Sequence, residues 1–226
     1  MTAPFDLAET DRLLSTTRAV RKRLDFEKPV ERSVLLDCIR LSQQAPTGSN
    51  KQGWRWVVVM DAEKRLALAD LYRRAAGSYL ADEEAKAKAS GDGATERVYS
   101  SAQYLADHME KAPALVIPCI RIDHLPPDPP RRVWPGVLGS ITPAVWSFQL
   151  ALRARGLGSA FTTIHLRFED EAAEILGLPE GLMQTALLPV AYTKGTDFKP
   201  AQRPPVEDIV HWDAWDSARD GPGKWD

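Results

Sequence analysis

The residues best suited to hold a ligand form one short run, Ala45-Pro46-Thr47-Gly48-Ser49-Asn50-Lys51-Gln52-Gly53-Trp54. Thr47, Ser49, Asn50 and Gln52 carry hydroxyls and amides that both donate and accept hydrogen bonds. Pro46 cannot continue a helix, and Gly48 admits backbone angles that residues with a Cβ avoid. Such a polar turn suits a planar ligand with a mixed donor and acceptor edge, although a plain helix-to-strand loop uses the same residues. A second run, Arg18-Ala19-Val20-Arg21-Lys22-Arg23-Leu24, places four cations among seven residues. It reads as a solvated face, a patch for an acidic partner, or a phosphate clamp. In an extended segment Ala19, Arg21 and Arg23 would share one side.

Other chemistry is missing. His108, His124, His165 and His211 show no metal-ligand spacing with one another or with Cys38 and Cys119. There is no Gly-x-Ser-x-Gly elbow and no Walker A loop. Gly156-Leu157-Gly158 leaves a helical pattern and opens a strand, the reverse of a dinucleotide fingerprint, and Gly156 is better read as a helix stop. His165 follows a strand pattern and is expected to be a surface or partly buried structural residue. An enzyme with so few reactive side chains would rely on a cofactor for its reactivity.

The elements that must position these residues follow from periodicity. Helices are expected at about 6–20, from Pro29-Val30-Glu31 through Leu41-Ser42, at 62–76 behind an Asp61 cap, at 97–110, through Leu138–Arg153, and at 169–176. Strands are expected at Trp54–Met60, Ala114–Ile120, Ser159–Ile164 and Gln184–Tyr192. The Ala114–Ile120 run is apolar throughout, as in a sheet covered on both faces, although Pro118 argues against a central strand. Residues 81–97 read as a mobile excursion, helical in part, with Asp82–Lys88 a candidate lid, or equally as a plain surface helix and loop; residues 123–136 read as an irregular proline-rich connection. The tail from Thr193 carries Trp212, Trp215 and Trp225 and is expected to wrap a neighbouring surface.

At 44% hydrophobic residues the chain can build a substantial core, and its net charge of −2 gives no general attraction for nucleic acid or acidic membranes. The two cysteines read as reduced core residues. Neither a secretory leader nor an apolar run of about 20 residues is evident, so a cytoplasmic protein without a membrane span is expected.

Four stretches together resemble the FMN-dependent nitroreductase family. They are Arg18–Leu24 before Pro29-Val30; Ala45–Trp54 leading into Val57-Val58-Val59; Ser140-Ile141-Thr142-Pro143-Ala144 followed by Gly156-Leu157-Gly158-Ser159, Thr162 and Thr163; and Pro189-Val190-Ala191-Tyr192 with Lys199-Pro200-Ala201-Gln202-Arg203-Pro204. The resemblance implies a single α+β domain over 1–226, a three-layer αβα fold whose central sheet is mixed and mainly antiparallel. It also implies a homodimer with FMN at the subunit interface, with the tail from about 193 packed on the partner.

By the same resemblance Arg18, Ala19, Arg21 and the tail's Arg203 match the flavin phosphate site, with Ala19 where the family usually has serine. Pro46, Thr47, Gly48 and Asn50 match the turn that reaches the other subunit's flavin, and Gly53 stands where a proline is common. Thr162 and Thr163 match the strand beside flavin N5. The implied activity is reduction of a nitroaromatic, quinone or related electron-poor acceptor by NADPH or NADH, with ping-pong kinetics. Reductive dehalogenation, flavin fragmentation, and flavin or small-ligand binding without turnover are the alternatives. No metal is implied.

Overall fold

Ala114–Arg121 (β3) is the strand on which the sheet is hung, and all of it but Arg121 is buried. Successive side chains alternate between faces. Leu115, Ile117 and Cys119 enter one core, and Ala114, Val116 and Ile120 enter another. A strand buried on both sides needs a helical layer on each, and the computed structural model, which describes residues 4–215, has them. One layer holds Ala62–Ala76 (α3), Tyr79–Ser90 (α4), Gly93–His108 (α5) and Glu169–Leu176 (α8). Leu68, Leu71, Tyr72, Leu105, Met109 and Ala172 from this side fill the first core. The other layer holds Arg32–Ser42 (α2) and Thr142–Ala154 (α7), which pack Leu35, Cys38, Val145, Phe148 and Leu152 into the second. The short Trp134–Gly139 (α6) adds Val137 to the second core, and Leu7–Thr16 (α1) buries only Thr16.

Every strand pairing among the described residues is antiparallel. Trp54–Val59 (β2) pairs with β3 from Trp54–Ile120 to Val59–Leu115. On the other side of β3 lie Leu182–Gln184 (β5) and Leu188–Thr193 (β6), and β6 in turn carries Leu24–Asp25 (β1) and Leu157–Ser159 (β4). The apolar run from Gln184 to Tyr192 is thus two strands rather than one. The break faces Pro118, which has no N–H for the ladder. There the register slips by one residue, and Thr185 bonds the Pro118 carbonyl through both its N–H (3.0 Å) and its hydroxyl (2.8 Å). Pro118 is accommodated in a central strand by that bulge.

Two further expectations change, and a third is sharpened. Residues 81–97 are helical, as α4 and the start of α5: Gly91 ends α4 at φ +75°, and Asp92 caps α5 by accepting from the N–H groups of Ala94 and Thr95. The Ser90-Gly91-Asp92-Gly93 run is therefore a stop followed by a cap, with no extended loop between. The strand expected over Ser159–Ile164 is shorter: β4 ends at Ser159, a single bridge joins Thr162 to Leu187, and a 3-10 turn begins at Ile164. The first helix stops at Thr16, where the hydroxyls of Thr16 and Thr17 turn back onto the carbonyls of Arg12 and Leu13. Trp225 lies outside the described residues. No helix among the described residues is long and apolar enough to cross a membrane.

Candidate functional site

The basic segment is fastened to the sheet by Val20. Its N–H donates to the Ser159 carbonyl at 2.8 Å and its side chain is buried against Gly158. A Cβ at Gly158 would lie 2.8 Å from Thr193 Cγ2 and 2.9 Å from Val20 Cβ, so only glycine lets the segment sit this close. Past Val20 the chain turns instead of running extended, with the Leu24 N–H closing onto the Arg21 carbonyl at 3.0 Å. The turn separates the cations. Arg23 leaves for the tail, donating to the Lys194 carbonyl, pairing with Asp197 and lying 4.1 Å over the Phe198 ring. Arg21 and Lys22 face α5, where Arg21 Nη1 meets Ser101 Oγ at 3.2 Å and Lys22 Nζ meets Ser100 Oγ at 3.0 Å. Arg18 donates to the Lys199 carbonyl at 3.3 Å.

These groups surround a cavity of about 210 Å³, lined by Arg18, Ala19, Arg21, Lys22, Ser101 and Lys199 among others. Among the described residues Arg21 has no carboxylate within ion-pair distance. Burial pushes its guanidinium down from the ordinary value, partly opposed by Tyr72. A half-buried cation without a carboxylate partner, beside Arg18, Lys22, Lys199, Ser101 and the Arg23–Asp197 ion pair, is a mainly cationic donor set suited to a phosphate group. The cavity therefore fits the phosphate end of FMN.

Tyr72, on the buried face of α3, lies between this cavity and the segment after β4 that carries Thr162. Its hydroxyl is 3.0 Å from Thr162 Oγ1. Burial raises the phenol, while the Thr162 hydrogen bond and the Arg21 charge lower it. Thr162 is half-buried and Thr163 is exposed at the head of the 3-10 turn.

The polar turn sits elsewhere in the same chain. Thr47 and Gly48 line a separate cavity of about 250 Å³ with Lys51, His124, Val137 and Ser140. Gly48 donates its N–H to Ser140 Oγ at 3.0 Å, and a Cβ there would be 3.2 Å from that oxygen. Its role is close approach: the positive backbone angles belong to Ser49 (φ 53°), Asn50 (φ 53°) and Gln52 (φ 48°). Three non-glycine residues in the left-handed region store roughly 1–3 kcal/mol each, a concentration of strain typical of ligand-holding segments. Pro46 and Asn50 are exposed beside the cavity. Arg203 is exposed in the tail, its guanidinium on the carbonyl of neighbouring Gln202 at 3.1 Å. One chain thus unites Arg18, Ala19 and Arg21, and links them through Tyr72 to Thr162. It leaves Pro46, Thr47, Gly48 and Asn50 at another cavity and Arg203 apart.

Two cysteines and one histidine are set aside by burial. Burial holds both thiols up, Cys119 to about 12, so neither is a nucleophile. His165 is fully buried instead of lying near the surface, and neither ring nitrogen has a hydrogen-bond partner among the described residues. No cluster of three or more metal-ligating side chains occurs among the described residues. The serines on α5 and the hydroxyl of Tyr72 had no signal in the sequence, because each lies on a helix whose periodicity reports only packing.

An antiparallel sheet between two helical layers, with a basic turn laid on β4 and a threonine pair just beyond that strand, is the architecture of a class of flavoenzymes. The chain belongs to the nitroreductase family, whose model matches residues 14–192. Similar solved structures agree on the fold. An iodotyrosine deiodinase bound to FMN and 3-iodo-L-tyrosine is 22% identical, with a TM-score of 0.67 over 91% of this chain and 99% of that one. Nitroreductase A from Vibrio parahaemolyticus is 18% identical, with a TM-score of 0.68 over 93% and 78%. A BluB-like flavoprotein from Clostridium difficile is 20% identical, with a TM-score of 0.66 over 90% and 98%.

Proposed function

We propose that this protein is an FMN-dependent oxidoreductase that takes a hydride from NADPH or NADH and passes it to a nitroaromatic, a quinone or a similar electron-poor acceptor. The observation that carries the reading is Arg21, a half-buried cation without a carboxylate partner, set with Arg18 and Lys22 around a cation-lined cavity. Bound FMN supplies the hydride chemistry. The protein's part is to hold and tune it. Arg18 and Arg21, with Arg203 from the tail, hold the phosphate through charged hydrogen bonds, and Ala19 contributes backbone only. Thr162 and Thr163 lie along the ring.

Thr47 and Gly48 line a different cavity from Arg21, and Pro46 and Asn50 belong to the same exposed turn. That separation supports a homodimer in which one chain's turn meets the flavin held by its partner. The exposed Ile209 and Trp212 of the tail support the same assembly, since apolar side chains on an irregular segment favour cover. A cytoplasmic location accords with this reading.

Initial rates test the cycle. With NADPH and a quinone both varied, double-reciprocal plots are expected to be parallel, the mark of reductant and acceptor using one site in turn. Lines that intersect would show both bound together and would refute the alternating cycle.

A further inference from the structure

Tyr72 is only 2% exposed on the core face of α3. A ring that did nothing but pack would need no hydroxyl, and a buried hydroxyl without a partner is costly. Here it meets Thr162 Oγ1 at 3.0 Å. The backbone of Thr162 is pinned independently. Its N–H donates to the Leu187 carbonyl at 3.2 Å, and its carbonyl accepts from the Leu187 N–H at 2.8 Å. What remains free at Thr162 is the direction of the side chain, and Tyr72 takes that freedom away.

The two hydroxyls are not equivalent. A phenol is intrinsically more acidic than an aliphatic hydroxyl and the better donor; burial raises this one, and the nearby Arg21 charge offsets part of that rise. Donation from Tyr72 to Thr162 leaves the Thr162 hydrogen to point at a ligand, and successive hydrogen bonds polarise one another. The hydrogen-bonded pair thus joins a buried phenol, itself within the field of Arg21, to the hydroxyl of the bridge residue Thr162.

We propose that Tyr72 is a positioning residue that, acting through Thr162, sets the reduction potential of the bound flavin. This rests on the reading of the site as an FMN site with Thr162 along the ring.

The test is the potential of the FMN-loaded protein, measured by dye equilibration for wild type, Tyr72→Phe, Thr162→Val and the double variant. Phenylalanine keeps the ring in the core, and valine keeps the shape of threonine. Both single variants are expected to move the potential in the same direction, Tyr72→Phe by at least half as much as Thr162→Val. A tenfold change in the preference between oxidised and reduced flavin corresponds to about 30 mV for a two-electron couple. The double variant is expected to match Thr162→Val, because a residue that acts only through Thr162 has nothing left to act on.

Thr162→Ser, which keeps the hydroxyl, is expected to stay near wild type with Tyr72 present and to move when combined with Tyr72→Phe. An unchanged potential in Tyr72→Phe, with Thr162→Val shifted, overturns the proposal and leaves the FMN reading intact. So do additive shifts in the double variant. A wild-type protein that takes no FMN, or an FMN-loaded Thr162→Val with an unchanged potential, overturns the proposal together with the placement of Thr162.

Discussion

Arg21 and His165 are both partly or wholly withdrawn from water, and they have opposite meanings. Arg21 keeps its charge and lines a cavity with other cations. Arg21→Ala and Arg203→Ala are each expected to weaken FMN binding by about 1.5–3 kcal/mol, the range for charged hydrogen bonds. Fluorescence titration of the apoprotein measures this, and unchanged affinity in both variants would remove the phosphate assignment. His165 gives up its charge. Burial pushes it from 6.5 down to about 4, so between those values the unfolded chain binds a proton that the folded chain refuses. Its contribution is whole above pH 6.5 and is lost as the pH falls towards 4, by about 3 kcal/mol at full extent. Urea unfolding at pH 7 and pH 5 should therefore show a smaller acid loss in His165→Leu than in wild type. Equal losses would mean that the imidazole is solvated.

Among the elements, β4 matters most to the site because the basic segment is laid on it. Gly158→Ala places a Cβ within 3 Å of Val20 and Thr193. It is expected to cost about 1–3 kcal/mol of stability by overpacking and to weaken FMN binding as the segment is displaced. Chemical denaturation and FMN titration measure the two effects, and a stable variant with wild-type affinity would show that the segment is not held by this contact. Such contacts mark the border of what the sequence could reveal.

The α3 helix with its Asp61 cap and the doubly covered β3 were legible, because cap chemistry and apolar runs are local. The break between β5 and β6 was not, because its cause, Pro118, lies across the sheet. The tight junction between α4 and α5 was hidden by Ser90-Gly91-Asp92-Gly93, where a helix stop and a helix cap share the composition of a loop. At the site, Arg18, Arg21 and Thr162 were named from the resemblance. Tyr72, Ser100 and Ser101 were invisible because helical spacing sorts residues by burial, not by what their hydroxyls touch.

At the scale of the whole molecule, the described chain places the cation-lined cavity and the strained Thr47–Gln52 turn at separate sites. In the proposed dimer, one chain's turn and its partner's cation-lined cavity would form one cofactor site. The most direct measurement is the visible spectrum of the purified, FMN-equilibrated protein, recorded without oxygen before and after NADPH or NADH is added. Retained flavin absorption that bleaches with the nicotinamide and returns with a nitroaromatic or a quinone is the predicted result. A protein that cannot retain FMN, or whose bound FMN stays oxidised with both nicotinamides, would contradict the proposed function.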